Sequence, residues 1–153
     1  MTASIEILTE SNVYELGIET TKILNNKQTE LSSIKWTNGE ANIDTEYSKL
    51  ACDCCTTAWN IIKEKNEKYN KINIECTIPD INITFIYPNY KKNKYKIELK
   101  SSKSTKIPGS TIKTLNINQT LIFCLRPTNK KIPFFLKCSQ YHSAMGSSNI
   151  DLF

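Results

Sequence analysis

The hydrophobic period of this chain changes near residue 70, and that change limits the fold more than any other feature. Before it, apolar residues recur at helical spacing. Val13, Leu16, Ile23, Leu24 and Leu31 predict a helix over 9–34, capped by Thr9 or Ser11 and breakable at Asn25-Asn26. Trp36-Thr37-Asn38-Gly39 reads as a turn. Tyr47, Leu50, Cys54, Ala58, Ile61 and Ile62 predict a second helix from Asp44 or Thr45 to Lys68, polar over its last turns. After it, the period is two. Ile72, Ile74, Cys76 and Ile78 alternate with Asn73, Glu75 and Thr77, the pattern of a half-buried strand. Asp80–Tyr87 and Lys94–Lys100 read as two more strands around a turn at Pro88–Asn93. Ser101–Ser110 reads as a loop, and Thr111–Ile117 as a short helix or an irregular connection. Leu121–Leu125 is continuously apolar, as in a strand buried on both faces, and Phe134–Cys138 closes the strand set.

This order predicts an α/β (α+β) chain, a central mixed β-sheet flanked by helices. At 153 residues and 39% hydrophobic, the chain suits a single domain over 1–153 with one core. The core is expected at about 45–138, with residues 1–40 as an N-terminal helical extension. No run approaches the roughly 18 apolar residues of a membrane span, so no membrane partner is expected. Glu6 and Glu10 stand where a secretion signal has a basic and then an apolar stretch. The expected location is therefore intracellular, cytoplasmic or nuclear, and not secreted.

Six cysteines are present, three of them crowded into Cys52-Asp53-Cys54-Cys55. A zinc site would need a second half, but Cys76, Cys124 and Cys138 are scattered and His142 is the single histidine. Small buried apolar residues in a reducing compartment is the better account. Tyr141-His142-Ser143 invites a nucleophile reading, yet no acid partner stands nearby.

The charge is uneven. Residues 1–67 carry eleven acids and six lysines, a net of −5. Residues 68–137 carry thirteen lysines and Arg126 against Glu75, Asp80 and Glu98, a net of +11. Such a surplus suits a polyanion, nucleic acid first. A lysine-rich surface with no partner would look the same, except that two of the three acids in this basic half form a pattern. Pro79-Asp80 opens one predicted strand, and Glu98-Leu99-Lys100 closes the next, eighteen positions after Asp80. A strand turns Glu98 and Lys100 to one face and Leu99 to the other. A hairpin returns both to the corner where Asp80 sits. Two carboxylates suit Mg²⁺, and a lysine beside them can orient water and stabilise developing negative charge.

These residues resemble the PD-(D/E)xK nuclease superfamily, which includes restriction endonucleases and Holliday-junction resolvases. Its pattern is an acid, often after proline, followed by acid-x-Lys, on a helix, three strands, helix, strand core. The resemblance covers residues 45–126 or so. It implies a restriction endonuclease-like core and a metal-dependent DNA endonuclease. Asp80 and Glu98 would hold Mg²⁺, with Mn²⁺ able to substitute, and Lys100 would be the catalytic lysine. Glu46, ahead of Glu40 and Glu64, matches the glutamate that many members add from the first core helix. Ser101, Ser102, Lys103, Lys106 and Arg126 would contact the nucleic acid, and Gln119 could face the same corner. The segment from Ser139 to Asn149 could form a DNA-facing loop. Many members cut as dimers, so a homodimer is open. The chain ends at Asp151-Leu152-Phe153 without an evident closing element, which leaves dimerisation through this end or continuation into a longer protein open as well. A non-catalytic nucleic-acid-binding module on the same fold, or a protein whose basic face meets an acidic partner, are the alternatives.

Overall fold

The structure is a computed structural model, and it describes residues 7–36, 45–103, 106–107, 119–141 and 150–151. Helices α1 (Glu10–Asn25), α2 (Gln28–Ser32) and α3 (Thr45–Lys65) come first, and a 3₁₀ turn at Glu67–Tyr69 follows. The strands are β1 (Asn73–Thr77), β2 (Ile81–Ile86), β3 (Lys92–Ser102), β4 (Lys106–Ile107), β5 (Gln119–Leu125), β6 (Phe135–Tyr141) and β7 (Ile150–Asp151). Five of them form a mixed sheet in the order β1-β2-β3-β5-β6. β3 and β5 are parallel, and the other neighbours are antiparallel. The arrangement is α+β, as the change of period requires.

The helix over 9–34 does break where the two asparagines stand. Thr9 opens it, its N–H donating to Asn12 Oδ1 at 2.9 Å. At the break, Asn25 and Gln28 serve the sheet as well. Asn25 accepts from the Leu136 N–H at 2.9 Å and donates to the Leu136 carbonyl at 3.0 Å. Gln28 does the same for Phe134, at 2.8 and 2.9 Å. The two amides satisfy backbone groups in and just before β6, which among the described residues is an edge strand that would otherwise offer them to another chain.

α1 and α3 pack on one face of the sheet. Leu8, Val13, Leu16 and Leu24 join Ala51, Cys55 and Trp59 of α3 and Ile83, Phe85, Ile97, Leu99, Ile122 and Leu136 of the strands in a single buried cluster. Residues 10–36 are thus part of the core, where the sequence suggested an extension to it. The reason is that α1 packs over β5 and β6, while α3 packs over β1 and β2. On the opposite face, Leu121 and Phe123 form a second small cluster with Leu125. β5 is buried on both faces, as its unbroken apolar run predicts.

Several expected boundaries change. Ser101 and Ser102 extend β3 rather than opening a loop, and β4 pairs with β7 in a separate two-stranded sheet. Backbone pairing with β5, through Ser101↔Cys124 and Ser102↔Leu125, carries β3 past its last apolar residue. Ser139 and Gln140 likewise belong to β6, not to a loop. The 37–39 turn, Glu40, the Thr111–Ile117 connection, His142, Ser143 and the rest of the 142–149 stretch lie outside the described residues. No helix among the described residues is long and apolar enough to cross a membrane.

α1 crosses the sheet closely because Gly17 has no side chain. A Cβ there would lie 2.7 Å from Cys138 Sγ and 3.0 Å from Thr120 Cγ2. Gly17→Ala should therefore destabilise the fold by about 1–3 kcal/mol through overpacking, despite alanine's better helix propensity. Urea unfolding checks this, and a Gly17→Ala/Cys138→Ala double variant should recover part of the loss.

Candidate metal centre and its lysines

Register brings the motif together. β2 and β3 pair with Ile81 opposite Ile97, so Asp80, one residue before β2, comes opposite Glu98. Ile97 and Leu99 point into the helix-covered core, which turns Lys96, Glu98 and Lys100 to the other face. Asp80 itself is not in a strand. It ends the β1–β2 turn, after a cis Ile78–Pro79 peptide, with φ of 51°. That left-handed conformation is one aspartate tolerates better than most residues.

Three contacts hold Asp80 there. Its Oδ1 accepts the Leu99 N–H at 3.0 Å. Its backbone carbonyl accepts the Ser48 hydroxyl at 2.6 Å and the Cys52 thiol at 3.6 Å, both from α3. Ser48 and Cys52 are one helical turn apart and share the sheet-facing side of α3. α3 therefore grips the backbone of the first acid.

The carboxylates are buried, and lysines meet them from outside. Side-chain exposure is 6% for Asp80 and 8% for Glu98. Lys96 Nζ lies 3.4 Å from Asp80 Oδ2 and 2.9 Å from Glu98 Oε2, so one ammonium touches both acids. Lys100 Nζ lies 3.1 Å from Glu98 Oε1. Gln119 begins β5 on the same face, and its amide donates to the Lys96 carbonyl. Burial, then the Glu98 charge, pushes the Asp80 carboxyl above its ordinary value of 3.8, against the Leu99 N–H and Lys96. Burial pulls the Lys96 ammonium down, but Glu98 and Asp80 outweigh it and the net direction is up.

The other sequence-derived site residues divide. Glu46 does not join the cluster. It stands about 200° around α3 from Ser48, given about 3.6 residues per turn, and its Oε2 accepts the Lys35 N–H at 2.9 Å. Glu64 is exposed at the far end of the same helix. Arg126 is 9% exposed, its guanidinium 5.4 Å from the centre of the Trp36 ring, among a different set of side chains from the Asp80–Glu98 pair. Ser101 alternates to the helix-covered face. Ser102 follows Lys100 on the open face, and Lys103 is exposed beyond it. Lys106 lies in β4, paired with Asp151 in register.

Sequence reasoning missed Lys96, and with it Lys92 and Lys94. All three are exposed, and strand alternation sets them on one face of β3 in a row that ends at Glu98 and Lys100. The signal was present as Lys-x-Lys-x-Lys-x-Glu-x-Lys, a period-two pattern. Among the described residues, no group of three or more His, Cys, Asp and Glu side chains is placed to hold a metal ion; the donor set is the Asp80–Glu98 pair. The six cysteines are free. Burial pushes the Cys52 thiol up to about 12, so it acts as a hydrogen-bond donor to Asp80 and not as a thiolate. A cavity of about 870 Å³ between Gln28, Ser32 and the 127–134 loop shares no residue with the cluster.

Comparison of the chain with protein-family models, with curated proteins and with solved structures finds no match.

Two outcomes follow for stability. Ser48→Ala leaves the Asp80 carbonyl without its shortest donor and should cost about 1–3 kcal/mol in urea unfolding. Asp80→Asn should have the opposite sign at neutral pH. The folded carboxyl titrates above its unfolded value, so its ionisation removes stability as pH rises through that window, and the whole cost is present above it. An amide keeps an oxygen for the Leu99 N–H without the charge. The variant should unfold at higher urea than wild type at pH 7, with the gap narrowing as pH falls toward 4.

Proposed function

We propose that this protein is a metal-dependent endonuclease that hydrolyses DNA phosphodiester bonds, built on a PD-(D/E)xK-type core. The observation that carries the reading is the pair of buried carboxylates, Asp80 and Glu98, converging on one cation-sized position, with Lys100 on the far oxygen of Glu98. The element order supports it: a helix, three antiparallel strands, then a strand parallel to the third. The second helix of such a core would fall at 108–118, outside the described residues.

The donor chemistry fits a hard divalent ion. Mg²⁺ is commonly held by one or two carboxylates and keeps several waters for substrate oxygens to replace. Asp80 and Glu98 would hold it; when bound, it supplies neutralisation of phosphate charge and a more acidic water. The chain's own groups do the rest. Lys100 presents its remaining N–H donors beside Glu98, where it can orient the attacking water and stabilise charge on phosphate oxygens. The Leu99 N–H and the α3 hydroxyl keep Asp80 in place. Lys92 and Lys94 line the approach along β3 as phosphate contacts, which position a polyanion without reading its sequence.

Cleavage of a supercoiled plasmid with Mg²⁺ or Mn²⁺ tests the reading. Asp80→Asn and Lys100→Ala should each lower the rate by about 100-fold or more, a usual size for losing such a group. Cleavage equal in wild type and both variants, or none by wild type with any divalent ion, refutes it. Lys92→Ala/Lys94→Ala should weaken DNA binding and flatten the log–log salt dependence by about 2.

One observation favours a second reading, a non-catalytic nucleic-acid-binding module. Both carboxylates already have lysine partners, so the cluster is electrostatically complete as it stands. DNA binding that persists in Asp80→Asn, with no cleavage under any metal, would identify that case.

A further inference from the structure

We propose that Lys96 is a built-in counter-ion for the metal position: its ammonium sits between Asp80 and Glu98 in the metal-free protein and swings out when a divalent ion enters. The proposal rests on the metal-binding reading above. Lys96 is the side chain that bridges the two acids, at 3.4 and 2.9 Å. Among the described residues, Lys100 meets Glu98 and not Asp80, on the other Glu98 oxygen. The two lysines therefore stand in different places, one between the carboxylates and one beside them.

Burial makes a counter-ion necessary. Two ionised carboxylates at 6% and 8% exposure, facing each other without a cation, would be strongly destabilising. Lys96 meets that need and can also leave. Its side chain is 44% exposed, so a short rotation of a flexible stem carries the ammonium into water. Its backbone does not need to move, because β2 pairing and the Gln119 amide hold it.

Charge counting gives the exchange a purpose. With Lys96 in place, two carboxylates and two ammoniums sum to zero. With a divalent ion in and Lys96 out, the ion and Lys100 outweigh the carboxylates by one positive charge. A phosphodiester carries one negative charge, so the metal-loaded site is complementary to substrate and the metal-free site is not. The displaced ammonium joins Lys94 and Lys92 on the same exposed row, where a phosphate backbone would meet it. Metal entry and readiness for a polyanion are then one event.

Lys96→Met keeps the stem and removes the charge. Ca²⁺ and Mn²⁺ titrations by calorimetry, with melting in EDTA and in metal, supply readouts other than cleavage. The variant should melt lower than wild type in EDTA, bind the ion about tenfold more tightly, and gain more from metal in melting temperature. Lys96→Arg, which keeps the charge, should bind metal like wild type. If wild type binds metal and Lys96→Met binds it equally or more weakly, Lys96 does not occupy the metal position and the proposal fails alone. If neither protein binds any divalent ion, the metal reading of Asp80 and Glu98 falls with it. Should Lys96→Met not fold, Lys96→Gln in the same titration carries the same two outcomes.

Discussion

Burial of Ile97 and Leu99 against α1 and α3 is the constraint on which the site depends. Those two side chains determine which face of β3 looks inward. Once they are in the core, Lys96, Glu98 and Lys100 have no choice but the opposite face. A slip of one residue would put Glu98 and Lys100 under the helices, where two charges would be buried without water. The hydrophobic core thus orients the polar cluster, although no member of the cluster contributes to that core. The parallel pairing of β3 with β5 acts in the same direction, because it sets Gln119 beside Lys96 and Leu121 beside Glu98.

The first acid is secured differently. Asp80 lies in a turn, where strand pairing does not govern its direction, and the structure compensates with contacts from two elements. α3 holds its carbonyl, and β3 holds its carboxylate through the Leu99 N–H. A left-handed backbone at this position is the geometric cost of aiming the side chain along the sheet toward Glu98. The result is a pair of carboxylates, one contributed by a turn and one by β3, yet reached by one ammonium. Burial and the Glu98 charge work against ionisation of Asp80, and the Leu99 N–H and Lys96 offset part of that. Such a balance suits a site meant to exchange one cation for another, which is the role proposed for Lys96.

The open part of the sheet extends this arrangement. Lys92, Lys94 and Lys96 protrude from the half of the face beside β2, where Asn82 and Thr84 are the neighbours in register. On the β5 side of the same face, Leu121 and Phe123 are buried. One face therefore changes character between neighbouring strands, from charged and solvated to apolar and covered, with the carboxylates at the boundary. For the activity proposed above, the ammoniums would attract a phosphate and the low-polarity wall would strengthen electrostatic interactions nearby.

Local pattern determined a good deal by itself. The switch from period 3.6 to period 2, the double burial of Leu121–Leu125 and the shared face of Glu98 and Lys100 all follow from backbone geometry, so they were legible in the residues alone. The Asn25-Asn26 break was legible as a break, but not as the clasp on β6, because the clasp joins residues more than a hundred positions apart. Tertiary structure decided what depends on neighbours in space. It turned Glu46 away from the acids, stacked Arg126 on Trp36, drew α1 into the core and inserted Lys96 between the two carboxylates. A lysine in an alternating strand looks the same in sequence whether it faces water or a carboxylate pair. Only the packing that sets the register, and the low dielectric that makes an unpaired buried acid costly, distinguish one from the other.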